Sequence, residues 1–249
     1  MKKVLLVLSL GLIGYSCNKE SAPDCLQTTG KTIRHEITVS NFDKIFVNRD
    51  IELIIKEGQE QKVVVETGKN LMPSVVVSVL DGILILTQNN TCNYFRSYDA
   101  TKVYVTSPNI REIRSSTQYN ITSDGVLTYP DLTLLSEDYG VEDTYTSANF
   151  YLEVDNNSLS FVFNNLSNAF VSGATDNLHV TLAAGTSRFE ARQLIAQNVT
   201  FWNRSSNDII INPQQKLSGK ISGTGHVIAI NKPRVVDVEV VYKGKLIFE

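Results

Sequence analysis

The sequence predicts an all-β protein whose main body is a β-solenoid. Three observations carry that prediction. Apolar residues alternate with period two along most of the chain, strand-like pieces recur about every 20 residues in its second half, and no stretch of useful length shows a helical period.

The first residues read as an export signal. Lys2 and Lys3 form a short basic start, and Val4 to Ile13 is an apolar run broken only by Ser9 and Gly11. That run is too short for a bilayer core of about 30 Å, which needs about 20 residues. It suits the apolar region of a secretory signal. Gly14-Tyr15-Ser16-Cys17 resembles a lipobox, with Gly14 where leucine is usual. The expectation is a signal peptide over residues 1–16, a lipid on Cys17 and a polar tether over 17–36. The lipid would be the link to a membrane, because several acyl chains together give stable anchoring. Lys19-Glu20 loosely resembles the charged tags that send some lipoproteins to the cell surface.

The body follows, over residues 37–249, divided into two lobes at about 37–107 and 108–249. In the first, Ile45 and Val47, then Ile51, Leu53 and Ile55, then Val63 and Val65 alternate with polar neighbours, and Glu57-Gly58 supplies a turn. Val75, Val77 and Val79, then Ile83 and Ile85, flank Asp81-Gly82, a strong hairpin signal. Gly68 to Pro73 is the best candidate for a helical turn, which Pro73 would end.

The second lobe repeats. Leu178, Val199 and Leu217 open similar pieces 21 and 18 residues apart. Phe189, Ile209, Val227 and Leu246 form a second column with steps of 20, 18 and 19. Gly173, Asn177, Gly185, Asn198, Asn207, Asn212, Gly225, Asn231 and Gly244 punctuate the pieces. Such a period suits coils that stack and turn alternate residues into a narrow core, with asparagine ladders at the corners. A β-sandwich is the competing architecture.

Cys25 and Cys92 are an even pair once Cys17 is assigned to lipid, and in an exported chain such pairs form disulfides. The leader holds two lysines, so the mature chain keeps 21 basic and 26 acidic residues, a balance of −5. A mildly acidic chain is a poor candidate for nucleic acid, whose binding footprint is a basic patch.

Several stretches together resemble a known family. They are Asn41 to Val47 with Ile51-Glu52-Leu53, Val63 to Glu66 with Lys69-Asn70-Leu71, the run Asn90 to Tyr98, and Ser222 to Val227 followed by Pro233. In order, over about residues 30–249, they look like the auto-transporter adhesins with a head GIN domain. The resemblance implies a right-handed parallel β-helix and an adhesin role. Glu137-Asp138-Tyr139-Gly140 and Asn203-Arg204-Ser205-Ser206 replace turns that the family builds from glycine and serine.

Enzyme chemistry finds little support. Glu137, Asp138, Glu142 and Asp143 cluster around Gly140, but on an expected turn, where carboxylates are usually just solvated. Glycoside hydrolysis needs two of them set across a sugar. His35, His179 and His226 are scattered without metal-ligand spacing, so no metal and no cofactor is expected. Tyr94, Phe95 and Tyr98 read as packing around the disulfide. Binding is better served. If Val199 and Phe201 point inward, Trp202 and Arg204 point outward, and one repeat on lies Lys220. An exposed tryptophan with basic neighbours can stack on a sugar or pair with a carboxylated glycan.

The sequence therefore reads as a non-catalytic cell-envelope lipoprotein at the outer membrane or cell surface. It would be a binding or adhesion module for a glycan or a surface protein. The alternatives are a pectinase-like enzyme on the same fold and a structural envelope subunit that stacks through an open solenoid end.

Overall fold

The computed structural model describes residues 24–90, 92, 94, 101–139 and 144–249. The expected signal segment, residues 1–16, and Cys17 lie outside them. The all-β expectation holds. Seven strands fill the first part: β1 (Thr32–Ile37), β2 (Lys44–Val47), β3 (Ile51–Glu57), β4 (Lys62–Gly68), β5 (Val75–Leu80), β6 (Ile83–Gln88) and β7 (Thr101–Ser107). Three strands lead into the repeats: β8 (Glu112–Ser115), β9 (Ile121–Leu127) and β10 (Asp131–Ser136). Then come β11 (Asn149–Phe163), β12 (Asn168–Leu182), β13 (Arg188–Asn203), β14 (Ile209–Ile221), β15 (Val227–Ala229), β16 (Val235–Val240) and β17 (Leu246–Phe248).

All seventeen join one sheet, and that sheet is mixed. From β8 onward every ladder is parallel. In the first part β1 runs antiparallel to β4, β4 to β7, and β5 to β6. A right-handed parallel β-helix therefore does not describe the whole chain. The physical reason is local: Asp81 and Gly82 both take positive φ, of 50° and 77°, which closes a tight hairpin instead of continuing a coil. The ladders β2–β8 and β3–β9 tie the two parts together.

The repeats close on themselves. Asn149 is the partner of Asn168, one strand spacing away, or about 4.8 Å. Fifteen extended residues would reach about 50 Å, so β11 must turn before its end. It bends at Asn157, where the pairing with β12 skips one residue in each strand. An asparagine ladder marks this corner: Asn177 Nδ2 donates to Asn157 O at 3.2 Å, and Asn198 Nδ2 to Asn177 Oδ1 at 3.3 Å. Both columns read from the sequence are paired in register. Leu178 faces Val199 and then Leu217, while Phe189 faces Ile209, Val227 and Leu246 in turn.

Inside each coil the two halves of the strand press apolar residues together. Phe150, Phe161, Phe163 and Phe189 are all buried, with ring centroids 4.9 Å apart for Phe161–Phe189 and for Phe150–Phe163. Gly219 follows the same logic by leaving space. A Cβ there would meet the Phe201 carbonyl oxygen at 2.2 Å and its ring at 2.9 Å.

The first part has its own fastening. Cys25 and Cys92 are joined by a disulfide across 67 residues. Beside it, buried Gln27 donates to Asn70 O at 2.9 Å and accepts from Asn90 Nδ2 at 2.7 Å, so the entering chain is held by satisfied polar groups. The expected turn before Pro73 is displaced: β4 runs to Gly68, and Pro73 sits inside a 3-10 turn, Met72–Ser74, rather than ending one. An early position costs Pro nothing, since no N–H is needed there.

Candidate binding face

The coil that carries Trp202 has the predicted register. Phe201 is 3% exposed and Trp202 38% exposed, so neighbours in sequence point to opposite sides. Trp202 pairs across the ladder with Lys220, and the Arg204 guanidinium lies over the indole, 5.3 Å from its centroid. Trp202 Nε1 donates to Ser222 Oγ at 3.3 Å, and Lys220 Nζ meets Glu239 Oε2 at 3.0 Å. The three residues share one outer face. One side of the indole is covered by Arg204, and the Lys220 charge is balanced.

The acidic candidates are engaged structurally where they are described. Glu137 accepts from Arg114 at 2.6 Å and from the Tyr139 amide at 2.8 Å. Asp138 accepts from Asn164 at 2.6 Å and Asn165 at 2.8 Å, which pins the turn to the next coil. Glu142 and Asp143 lie outside the described residues, as do Phe95 and Tyr98. Tyr94 is 74% exposed, and its amide donates to the Cys25 carbonyl at 3.1 Å. His226 is a connector between coils: its amide donates to Asp208 Oδ1 at 2.8 Å, and its Nδ1 accepts from the Lys245 amide at 3.1 Å. Among the described residues, no three histidine, cysteine or carboxylate side chains gather as metal ligands.

The family model described as putative auto-transporter adhesin, head GIN domain, matches residues 41–233. The chain belongs to that family. Solved structures resemble this head GIN domain chain over nearly its whole length. A putative adhesin from Bacteroides fragilis shares 16% identity, with 89% of this chain and 99% of that one covered and a TM-score of 0.78. A putative adhesin from Parabacteroides distasonis gives 17% identity, 89% and 99% coverage and a TM-score of 0.65. A putative lipid binding protein from the same species gives 15%, 88% and 98%, and 0.62. At these identities the likeness is one of fold. No curated protein matches the chain.

One surface feature of this head GIN domain chain was not singled out from its sequence. Tyr151 and Phe170 stack on each other outside the coils, with centroids 5.0 Å apart and planes within 8°. They stand 19 residues apart, the same step as the columns above. Extending the repeat one coil earlier would have found them.

Proposed function

We propose that this protein is a non-catalytic binding module of the cell envelope that engages glycan-bearing surfaces through the outer face of its coils. The observation that carries the reading is the pairing of Trp202 with Lys220 across the β13–β14 ladder, with Arg204, just past the end of β13, over the indole. A side chain fixed by cross-strand pairing loses little freedom on binding, and aromatic and arginine side chains supply most of the energy at such surfaces. Arg204 can turn from the indole to a ligand carboxylate, and Lys220 can exchange Glu239 for it.

The reading includes export, a lipid on Cys17 and an outer-membrane or surface address; the expected tether over 17–36 is shortened to the residues ahead of Cys25, because Cys25 is bonded to Cys92 and Thr32–Ile37 is a strand of the sheet. It also takes the parallel coils to wind right-handed, and the body to act as two lobes meeting near residue 108. The adhesin family supports an envelope setting. Cys17→Ala should leave the protein unprocessed or soluble; recovery of the variant with membranes after a carbonate wash would overturn the anchor. The function is tested on a glycan and cell-surface array with the mature chain. Trp202→Ala and Arg204→Ala should each weaken the signal. Release of reducing ends or unsaturated sugars from a polysaccharide panel, abolished by one Asp or Glu substitution, would replace this reading with an enzyme.

A further inference from the structure

We propose that the cleft over Tyr151 and Phe170 is a separate binding site, and that its ligand is an uncharged saccharide. The proposal rests on the binding-module reading but not on the Trp202 face. The cleft encloses about 500 Å³, within the range of small-ligand sites.

Two interruptions of the ladder create it. In β9, Thr122 pairs with Tyr151 and Val126 with Glu153, so two extra residues swing out of that strand. Gly125, with φ 93°, lies in the excursion. In β13, Glu190 pairs with Phe170 and Gln193 with Ser172, so one extra residue bulges there. Between the bulges β11 and β12 stay in register and form the floor. Bulges of this kind re-aim side chains beside sites.

The floor is aromatic and the walls are polar. Tyr151 keeps 41% of its surface in solvent despite the stacking. An outward aromatic pair stabilises the coils little, since it covers no core, but it offers the flat apolar patch that the C–H face of a pyranose requires. Around it stand the Glu153 carboxylate, the Ser172 hydroxyl, the Gln193 amide and the Thr122 hydroxyl. Among the described residues, none of these four side-chain groups has a hydrogen-bond or ion-pair partner. The charged neighbours are engaged: Arg192 pairs with Glu249, and Glu190 with Arg188 at 2.8 Å.

That inventory selects the ligand. Sugar hydroxyls both donate and accept, so they can use the amide, the hydroxyls and the carboxylate together. An anionic glycan or headgroup would meet Glu153 and Glu190, and would have to draw the lining cation Arg192 away from Glu249. A cationic group would use the carboxylate alone and leave the amide donors without partners.

The experiment is calorimetric titration of the mature chain, made soluble by Cys17→Ser, with uncharged gluco-, manno- and galacto-oligosaccharides. Oligogalacturonate serves as the anionic comparison. At least one uncharged oligosaccharide should bind at about millimolar Kd or tighter, and oligogalacturonate should not bind in the cleft. The double variant Tyr151→Ala/Phe170→Ala should weaken that binding at least about tenfold with a near-wild-type melting temperature. Glu153→Gln, which preserves shape, should weaken it less. No binding by any uncharged oligosaccharide overturns the site, as does binding that survives the double variant. Binding lost only in Trp202→Ala overturns the cleft while keeping the binding-module reading. A chain that binds neither these sugars nor any glycan or cell surface on the array overturns both.

Discussion

The two parts of this chain make β-structure by different rules. Between Thr32 and Ser107 the strands are short, and three of their pairings are antiparallel. Between Asn149 and Ile221 four long strands stack in parallel, each against the next in sequence. In the first part a two-residue turn settles one pairing, β5 with β6, while β1–β4, β4–β7, β2–β6 and β3–β7 join strands that are not neighbours in sequence. In the second, nothing local settles a pairing; the partner is decided by an inward stripe that recurs every 18 to 21 residues and by what each coil leaves for the next. Damage should therefore stay local in the first part and propagate to neighbouring coils in the second.

The largest effect should come from emptying a coil. Phe201→Ala removes a buried ring and should cost about 3–5 kcal/mol, whereas Trp202→Ala, one residue on, should cost less than half as much. Denaturant melts of the two variants check this, and the opposite order would put the register off by one. The first part should respond instead to its covalent tie. Cys25→Ser/Cys92→Ser should lose about 2–4 kcal/mol, because the unfolded chain regains the freedom of a long loop. Hydrogen exchange should show the loss concentrated in β1, β4 and β6, with β12 to β14 protected as before. Uniform loss of protection would end the distinction between the parts.

Two glycines sharpen it further. Gly219→Ala drives a methyl group into the Phe201 backbone of the coil beneath, and should cost up to about 3 kcal/mol. Gly82→Ala has room, with only Asp43 Oδ1 near at 3.7 Å, and should cost the left-handed backbone penalty alone, about 1–2 kcal/mol. The melting temperatures of the pair measure the difference.

The smallest effect lies at the junction. Tyr129 is buried, and its hydroxyl donates to the Ser107 carbonyl at 3.0 Å, joining the end of β7 to the start of the repeats. Burial raises its pKa well above the usual phenol value, and the nearby Glu57 charge adds to this. A folded-state pKa above the unfolded one means that this contribution is complete below about pH 10 and is lost as pH rises beyond it. Tyr129→Phe should cost about 1 kcal/mol at neutral pH and make the alkaline loss of stability shallower. An unchanged alkaline limb would assign that loss to other groups.

The sequence was legible where one residue type settles a geometry. Asp81-Gly82 gave the hairpin, and the columns at Leu178 and Phe189 gave the coil register, because a narrow core tolerates only apolar residues at those steps. Phe201 and Trp202 could be sorted in and out for the same reason. The antiparallel β1–β4–β7 group was not legible, since alternation fixes a strand's faces and not its partner. The bulges at Ser123–Gly125 and beside Arg192 were hidden too. An inserted residue shifts the period locally and looks like noise in a sequence, yet these shifts shape the cleft over Tyr151 and Phe170. That Arg204 lies on Trp202 and Lys220 on Glu239 depended on side-chain reach across neighbouring coils, which spacing alone does not encode.

The Cys25–Cys92 bond also decides how this body would carry a mechanical load. A pull on the chain that precedes β1 arrives at Cys25, and among the described residues β1 pairs with β4 alone. Such a strand would unzip one pair at a time. The bond diverts the pull to Cys92, between β6 and β7, and those strands are gripped by β2, β3, β4 and β5. A force on the segment ahead of Cys25 would thus load interior strands rather than peel the edge.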